Sequence, residues 1–127
     1  MTKHEAKWQT VFNKYLRETW PQTAGFYELK YTSTEFFSYK SFEDHQLASL
    51  LVMSNGGLVW KLSDSDPRKK PCDCISIPAM NAYVVIKYPL AFVIIEINTF
   101  VSDMDDRGRK LLSYEHAQDI AFKVIRV

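Results

Sequence analysis

The apolar residues of this chain change period partway along it, and that change constrains the fold more than any other feature. Trp8, Val11, Phe12, Tyr15, Leu16 and Thr19 recur three or four positions apart, lining one face of a helix over roughly residues 3–19. Pro21 stops that helix, and Gly25 punctuates the loop behind it. Over residues 26–32 the pattern switches to aromatic and β-branched alternation, which predicts a strand. Residues 34–40 read as a second strand or an extended loop. Ser41 and Asp44 have capping-box spacing, with Asp replacing the usual Glu or Gln. They open a helix that turns Leu47, Leu50 and Leu51 inward, and Asn55-Gly56-Gly57 ends it with left-handed backbone. Four further strands are expected over 58–62, 73–77, 82–88 and 92–97, separated by turns containing Pro and Asp. Ser113 then caps a short helix to about Phe122, and residues 123–127 return as an edge strand. The order α-β-α-β-β-β-β-α predicts an α/β (α+β) fold, a mixed sheet with helices packed on it.

With 127 residues the chain is expected to form one domain spanning 1–127. Hydrophobic residues make up 46%, enough apolar mass for a true core. The formal charge is +1, so any nucleic-acid affinity must come from local positive charge. Cys72 and Cys74 would point to opposite faces of a strand, which disfavours a mutual disulfide. Two cysteines without a second pair also make a poor zinc site, so reduced thiols in a cytosolic protein are expected. The N-terminus lacks the apolar run of a signal peptide, and residues 90–95 are too few to span a bilayer. These features predict a soluble, cytoplasmic domain with no membrane partner.

In a strand, positions i and i+2 share a face, so Glu28 and Lys30 project side by side among Phe26, Tyr27, Leu29 and Tyr31. Such a pair has two readings. It is a salt bridge on an exposed sheet face, or it is the Glu-x-Lys pair of a metal-dependent hydrolase. In the second, the carboxylate holds Mg²⁺ while the ammonium positions water and offsets charge in the transition state. A lone Glu-x-Lys does not choose between them.

Its surroundings carry more information. Gly25-Phe-Tyr-Glu28-Leu-Lys30-Tyr-Thr32 is followed by His45-Gln46 at a helix start and by Gly56-Gly57 before an apolar strand. Over roughly residues 25–62 this resembles the RecU-type Holliday-junction resolvases of the PD-(D/E)XK nuclease superfamily. The resemblance implies a restriction-endonuclease-like mixed sheet and a metal-dependent DNA endonuclease acting on branched DNA. It makes Glu28 a metal ligand, Lys30 the catalytic lysine and Gln46 a polar residue facing the site from its helix. The family's Asp on the strand before Glu-x-Lys is absent here, since no Asp precedes Glu28. Pro71-Cys72-Asp73 looks like that motif displaced downstream, and the strand after it offers Val85-Ile86-Lys87, with Val where an acid is needed. A rearranged site is therefore expected, with Asp73 joining Glu28 and Lys30 across the sheet; otherwise Asp73 is a turn residue. Glu28, Asp73 and the Leu29 carbonyl would suit one Mg²⁺ or Mn²⁺. Glu5 is the better candidate for a third acid and Glu18 the other, although either fits an exposed helix face.

Arg68, Lys69 and Lys70 form a basic loop leading to Asp73, either DNA-backbone contacts or an ordinary solvated turn. Lys61 could face the same cleft. His45 reads as a helix-start residue, while His4 and His116 carry no signal. Residues 104–110 read as a polar loop, with Asp103, Asp105 and Asp106 as surface charge. The resemblance also implies a homodimer, and the small size looks like a phage-encoded version acting in the host cytoplasm. Two rivals stand beside the nuclease: a catalytically inactive nuclease-fold module binding DNA or protein, and a small interaction protein in which Glu28–Lys30 is a surface pair.

Overall fold

Two strands covered on both faces organise the molecule. The computed structural model describes residues 3–61, 74–108 and 110–127. All six residues of β5 (Ala82–Lys87) are buried, as are five of the six in β6 (Ala91–Glu96). Both sequences are near-continuous apolar runs, the composition of strands that have no solvent face. They pair antiparallel across a tight turn in which Tyr88 N–H donates to Ala91 O at 2.9 Å. β1 (Phe26–Tyr31) lies parallel to β5, and β8 (Lys123–Arg126) antiparallel to β6, giving the order β1-β5-β6-β8.

Helices cover both faces of this mixed sheet. α1 (Lys3–Thr19) lays Trp8, Phe12, Tyr15 and Leu16 against Leu29, Val85, Phe92 and Ile94. On the opposite face, Leu50 of α2 (Asp44–Gly56), Phe100 of α3 (Ile97–Arg107) and Ala117 of α4 (Tyr114–Ile120) close over Val84, Ile86 and Ile95. Two small pairs flank the sheet: β2 (Phe36–Ser38) with β7 (Leu111–Ser113), and β3 (Leu58–Lys61) with β4 (Cys74–Ile77). The expected mixed α and β architecture is the one observed.

The first helix has the expected bounds, and β8 is the edge strand anticipated at the C-terminus. Residues 34–40 resolve into β2 and a 3₁₀ turn at Tyr39–Ser41. Thr32 follows β1, and its hydroxyl donates to Phe36 O at 2.8 Å, holding the turn. Gly56 and Asn55 stay helical, so Gly57 alone takes a left-handed φ, at 77°. Leu62 and Asp73 lie outside the described residues, as do Arg68, Lys69, Lys70 and Cys72. Cys74 is exposed.

One helix was not anticipated. α3 takes the end of the strand expected over 92–97 and most of the loop expected over 104–110. Its signal was present in Ile97, Phe100, Val101 and Met104, which repeat at helical spacing and pack on the core. It was hidden because the apolar run of β6 passes into it with only Glu96 between. That residue is the N-cap, its carboxylate accepting from Thr99 N–H at 3.0 Å. Asp103 is accordingly a helix residue with a largely buried side chain, not surface charge. Its carboxylate meets His116 Nε2 at 2.7 Å and accepts from Tyr39 Oη at 3.3 Å, tying α4 and the 3₁₀ turn to α3. His116, unremarkable in the sequence, is thus one end of a tertiary link. Asp103→Ala should cost about 1–3 kcal/mol, because it leaves two part-buried polar groups without their acceptor. Chemical denaturation would measure it, and an unchanged midpoint would show the link to be energetically idle.

Candidate functional site

β1 is an edge strand, and this position gives its residues three different environments. Phe26, Glu28 and Lys30 project on the α2 side with Val84 and Ile86, their neighbours in the parallel register. Leu29 projects the other way and is buried under α1. Phe26 N–H donates to Asn81 O and Thr32 N–H to Lys87 O, so the backbone groups of even-numbered residues face β5. By alternation the Leu29 carbonyl faces away from β5.

Three side chains meet at Glu28. Lys30 Nζ stands 3.9 Å from Glu28 Oε1, with Lys30 14% exposed and Glu28 33%. The ammonium also lies 5.7 Å from the Phe42 ring centroid, where the ring face attracts the cation. Gln46 Nε2 donates to the same Glu28 Oε1 at 3.0 Å. The orientation of this amide follows from the start of α2, whose N-cap is Glu43 rather than Ser41. Glu43 N–H donates to Gln46 Oε1 at 3.0 Å, which directs the NH₂ end towards Glu28. The expected Ser41–Asp44 box is therefore displaced by two residues. The reason is chemical: Glu43-x-x-Gln46 supplies the long amide at N3 that Asp44 could not.

Burial pushes the Glu28 carboxyl above its ordinary value, Lys30 opposes the rise, Glu5 adds to it, and His45 opposes it. Glu18 pairs with Lys14 on an exposed helix face. His45 pairs with Glu43 at 3.1 Å near the helix start, as expected of it. A raised carboxyl means that ionising Glu28 works against the fold. Stability held while the group is protonated is lost as pH rises from its ordinary value through the raised one. Glu28→Gln should consequently melt higher than the native chain at pH 7.5, with the difference vanishing near pH 3.5. Thermal melts across that range would overturn this if the two proteins kept a constant gap.

The structure also separates the two lysines that follow a strand acid or its substitute. Lys87 projects on the α1 side, opposite to Glu28, and is 2% exposed. Its Nζ donates to Tyr88 O and to Pro89 O and sits 4.1 Å from the Trp8 ring centroid. Lys87 is therefore committed to closing the β5–β6 turn, and the Val85-Ile86-Lys87 segment takes no part at Glu28.

Among the described residues no group of three or more His, Cys, Asp or Glu side chains is placed to hold a metal. Asp73, the expected second carboxylate, and the basic residues Arg68, Lys69 and Lys70 lie outside those residues. Lys61 belongs to β3 by its backbone. Gln46, Glu28 and Lys30 are brought together from two elements, and the Phe42 contribution was not read from the sequence. No family model, curated protein or solved structure matches the chain.

Proposed function

We propose that this chain is a metal-dependent endodeoxyribonuclease of the PD-(D/E)XK type, similar to RecU-type resolvases and hydrolysing phosphodiester bonds in branched DNA. The observation that carries the reading is the convergence on one carboxylate oxygen. Lys30 and Gln46 come from different elements, and both are residues the resemblance places at the active site.

Carboxylate and carbonyl oxygens are the donors a hard divalent ion prefers. Glu28 and the Leu29 carbonyl would hold Mg²⁺ or Mn²⁺, with Asp73 as the proposed second carboxylate. A bound ion of this kind stabilises charge on the phosphoryl oxygens and makes water a better nucleophile. Gln46 holds the carboxylate in orientation through a hydrogen bond to Oε1. Lys30, largely desolvated and packed on Phe42, would hold its ammonium next to a phosphate oxygen or water bound at Glu28, and so offset developing negative charge. Arg68, Lys69, Lys70 and Lys61 are the proposed contacts to the DNA backbone, which would make binding salt-sensitive. Action as a homodimer in the host cytoplasm of a phage belongs to the same reading.

A second reading is favoured by the satisfied state of the pair. Glu28 already has two partners, and no third ligand-type residue joins it among the described residues. The chain would then be a binding module that keeps a nuclease-like fold. Linear, nicked and four-way-junction DNA incubated with Mg²⁺, Mn²⁺ or chelator separates the two. Metal-dependent cleavage favouring the junction supports the nuclease; binding without cleavage in either metal supports the module.

A further inference from the structure

Beside the Glu28 cluster, along the same face of β1, lies an apolar pocket of about 440 Å³. It is lined by Phe26, two residues before Glu28, by the α2 stripe His45, Ala48, Ser49 and Val52, and by the buried Leu50 and Met53. That stripe repeats at helical spacing but is not the one the core uses, which runs through Leu47, Leu50 and Leu51. α2 therefore carries a second, mostly small and apolar face, and Val52 on it is 56% exposed. The volume falls within the ~300–1,000 Å³ typical of small-ligand sites. His45 and Ser49 contribute the polar side chains of the lining.

Position narrows the choice of occupant. Phe26 and Glu28 share a face at a separation of roughly 6.6 Å, two strand residues. His45 adjoins Gln46 in sequence and acts electrostatically on Glu28. A ligand filling both places needs a flat apolar ring system with polar edges, joined to an anionic group about one nucleotide's length away. We infer that the Phe26–α2 pocket seats one unpaired nucleobase of the DNA strand whose phosphate reaches Glu28 and Lys30. The inference rests on the nuclease reading and deepens it. Phe26 presents an aromatic surface for stacking, while His45 and Ser49 meet the edge of the base. A base inside a duplex has both faces stacked and its edge paired, so entry is easiest where the strand is already unpaired, as at a branch or fork.

The test uses the full chain carrying Glu28→Gln in chelator, so that binding is read without cleavage. Duplexes holding a single unpaired 2-aminopurine at successive positions are titrated against the fully paired duplex. One register should bind about tenfold tighter and change its emission on binding. Ala48→Trp and Ser49→Trp, both at exposed helix positions, should fill the pocket and reduce that preference below twofold. Equal affinity for paired and unpaired DNA, or a preference surviving both substitutions, overturns the base pocket. Junction cleavage by the native chain is assayed alongside. If cleavage is intact and the preference absent, only the pocket assignment falls; if no DNA is bound or cut, the nuclease reading falls with it.

Discussion

Replacing Glu28 with Gln is expected to lower cleavage of four-way-junction DNA by roughly 10²–10⁴-fold, and Lys30→Ala by a similar factor. The substitution is close to isosteric, and a Gln at this position still offers an oxygen to Gln46 Nε2. What it removes is the negative charge that would hold a divalent ion beside the Leu29 carbonyl. Lys30→Ala removes the cation 3.9 Å from that carboxylate while leaving the carboxylate itself. Both variants should fold and bind the junction, so the loss belongs to turnover. The same chain offers a physical control: Glu28→Gln gains stability at neutral pH as it loses activity, because burial makes the ionised carboxyl costly to the fold. Cleavage that survives in both variants would sink the assignment.

Gly57→Ala is expected to destabilise the protein by about 3 kcal/mol, whereas Gly56→Ala should stabilise it by about 0.5–1 kcal/mol. The two glycines are adjacent, yet the structure assigns them opposite roles. Gly56 is helical, and a Cβ built there meets nothing within 4 Å. Alanine there reduces the freedom of the unfolded chain at no cost to the native one. Gly57 has φ 77°, and its Cβ would lie 2.6 Å from Ile77 O and 2.8 Å from Ala79 N. Those are backbone atoms at the end of β4 and in the segment that follows it, so relief requires moving the connection that feeds the central strand. Urea denaturation of the two variants reads the contrast directly. A Gly57→Ala protein as stable as the native chain would mean that this close approach is not maintained in solution.

The sequence was most legible where one element carries its own signal. The three- and four-residue repeat from Trp8 to Thr19 marks α1 at its observed bounds, and Ser113 caps α4 by accepting from His116 N–H at 3.1 Å. Legibility failed at junctions between signals. The β6 run masked the start of α3, and the cap of α2 moved from Ser41 to Glu43 because Gln46 supplies the long amide at N3 that Asp44 could not. Glu28, Lys30 and Gln46 were singled out through the resemblance, which also turned Gln46 towards the site. Residue type and spacing alone did not join them, since 18 positions separate Gln46 from Glu28.

Periodicity, breaker residues and residue chemistry by themselves determined the mixed class and most elements, while the choice of Glu28, Lys30 and Gln46 as candidate acid, lysine and amide came from the resemblance. Periodicity and breakers are local properties, set by neighbours within a turn or a strand. Only tertiary structure decided that β1 lies parallel to β5 at the end of the described sheet and that the Leu29 carbonyl faces away from β5. It also separated Lys30 beside Glu28 from Lys87 under Trp8. Those outcomes depend on which apolar faces find one another across distant parts of the chain. Burial rewards the whole packed arrangement, and no single segment encodes it.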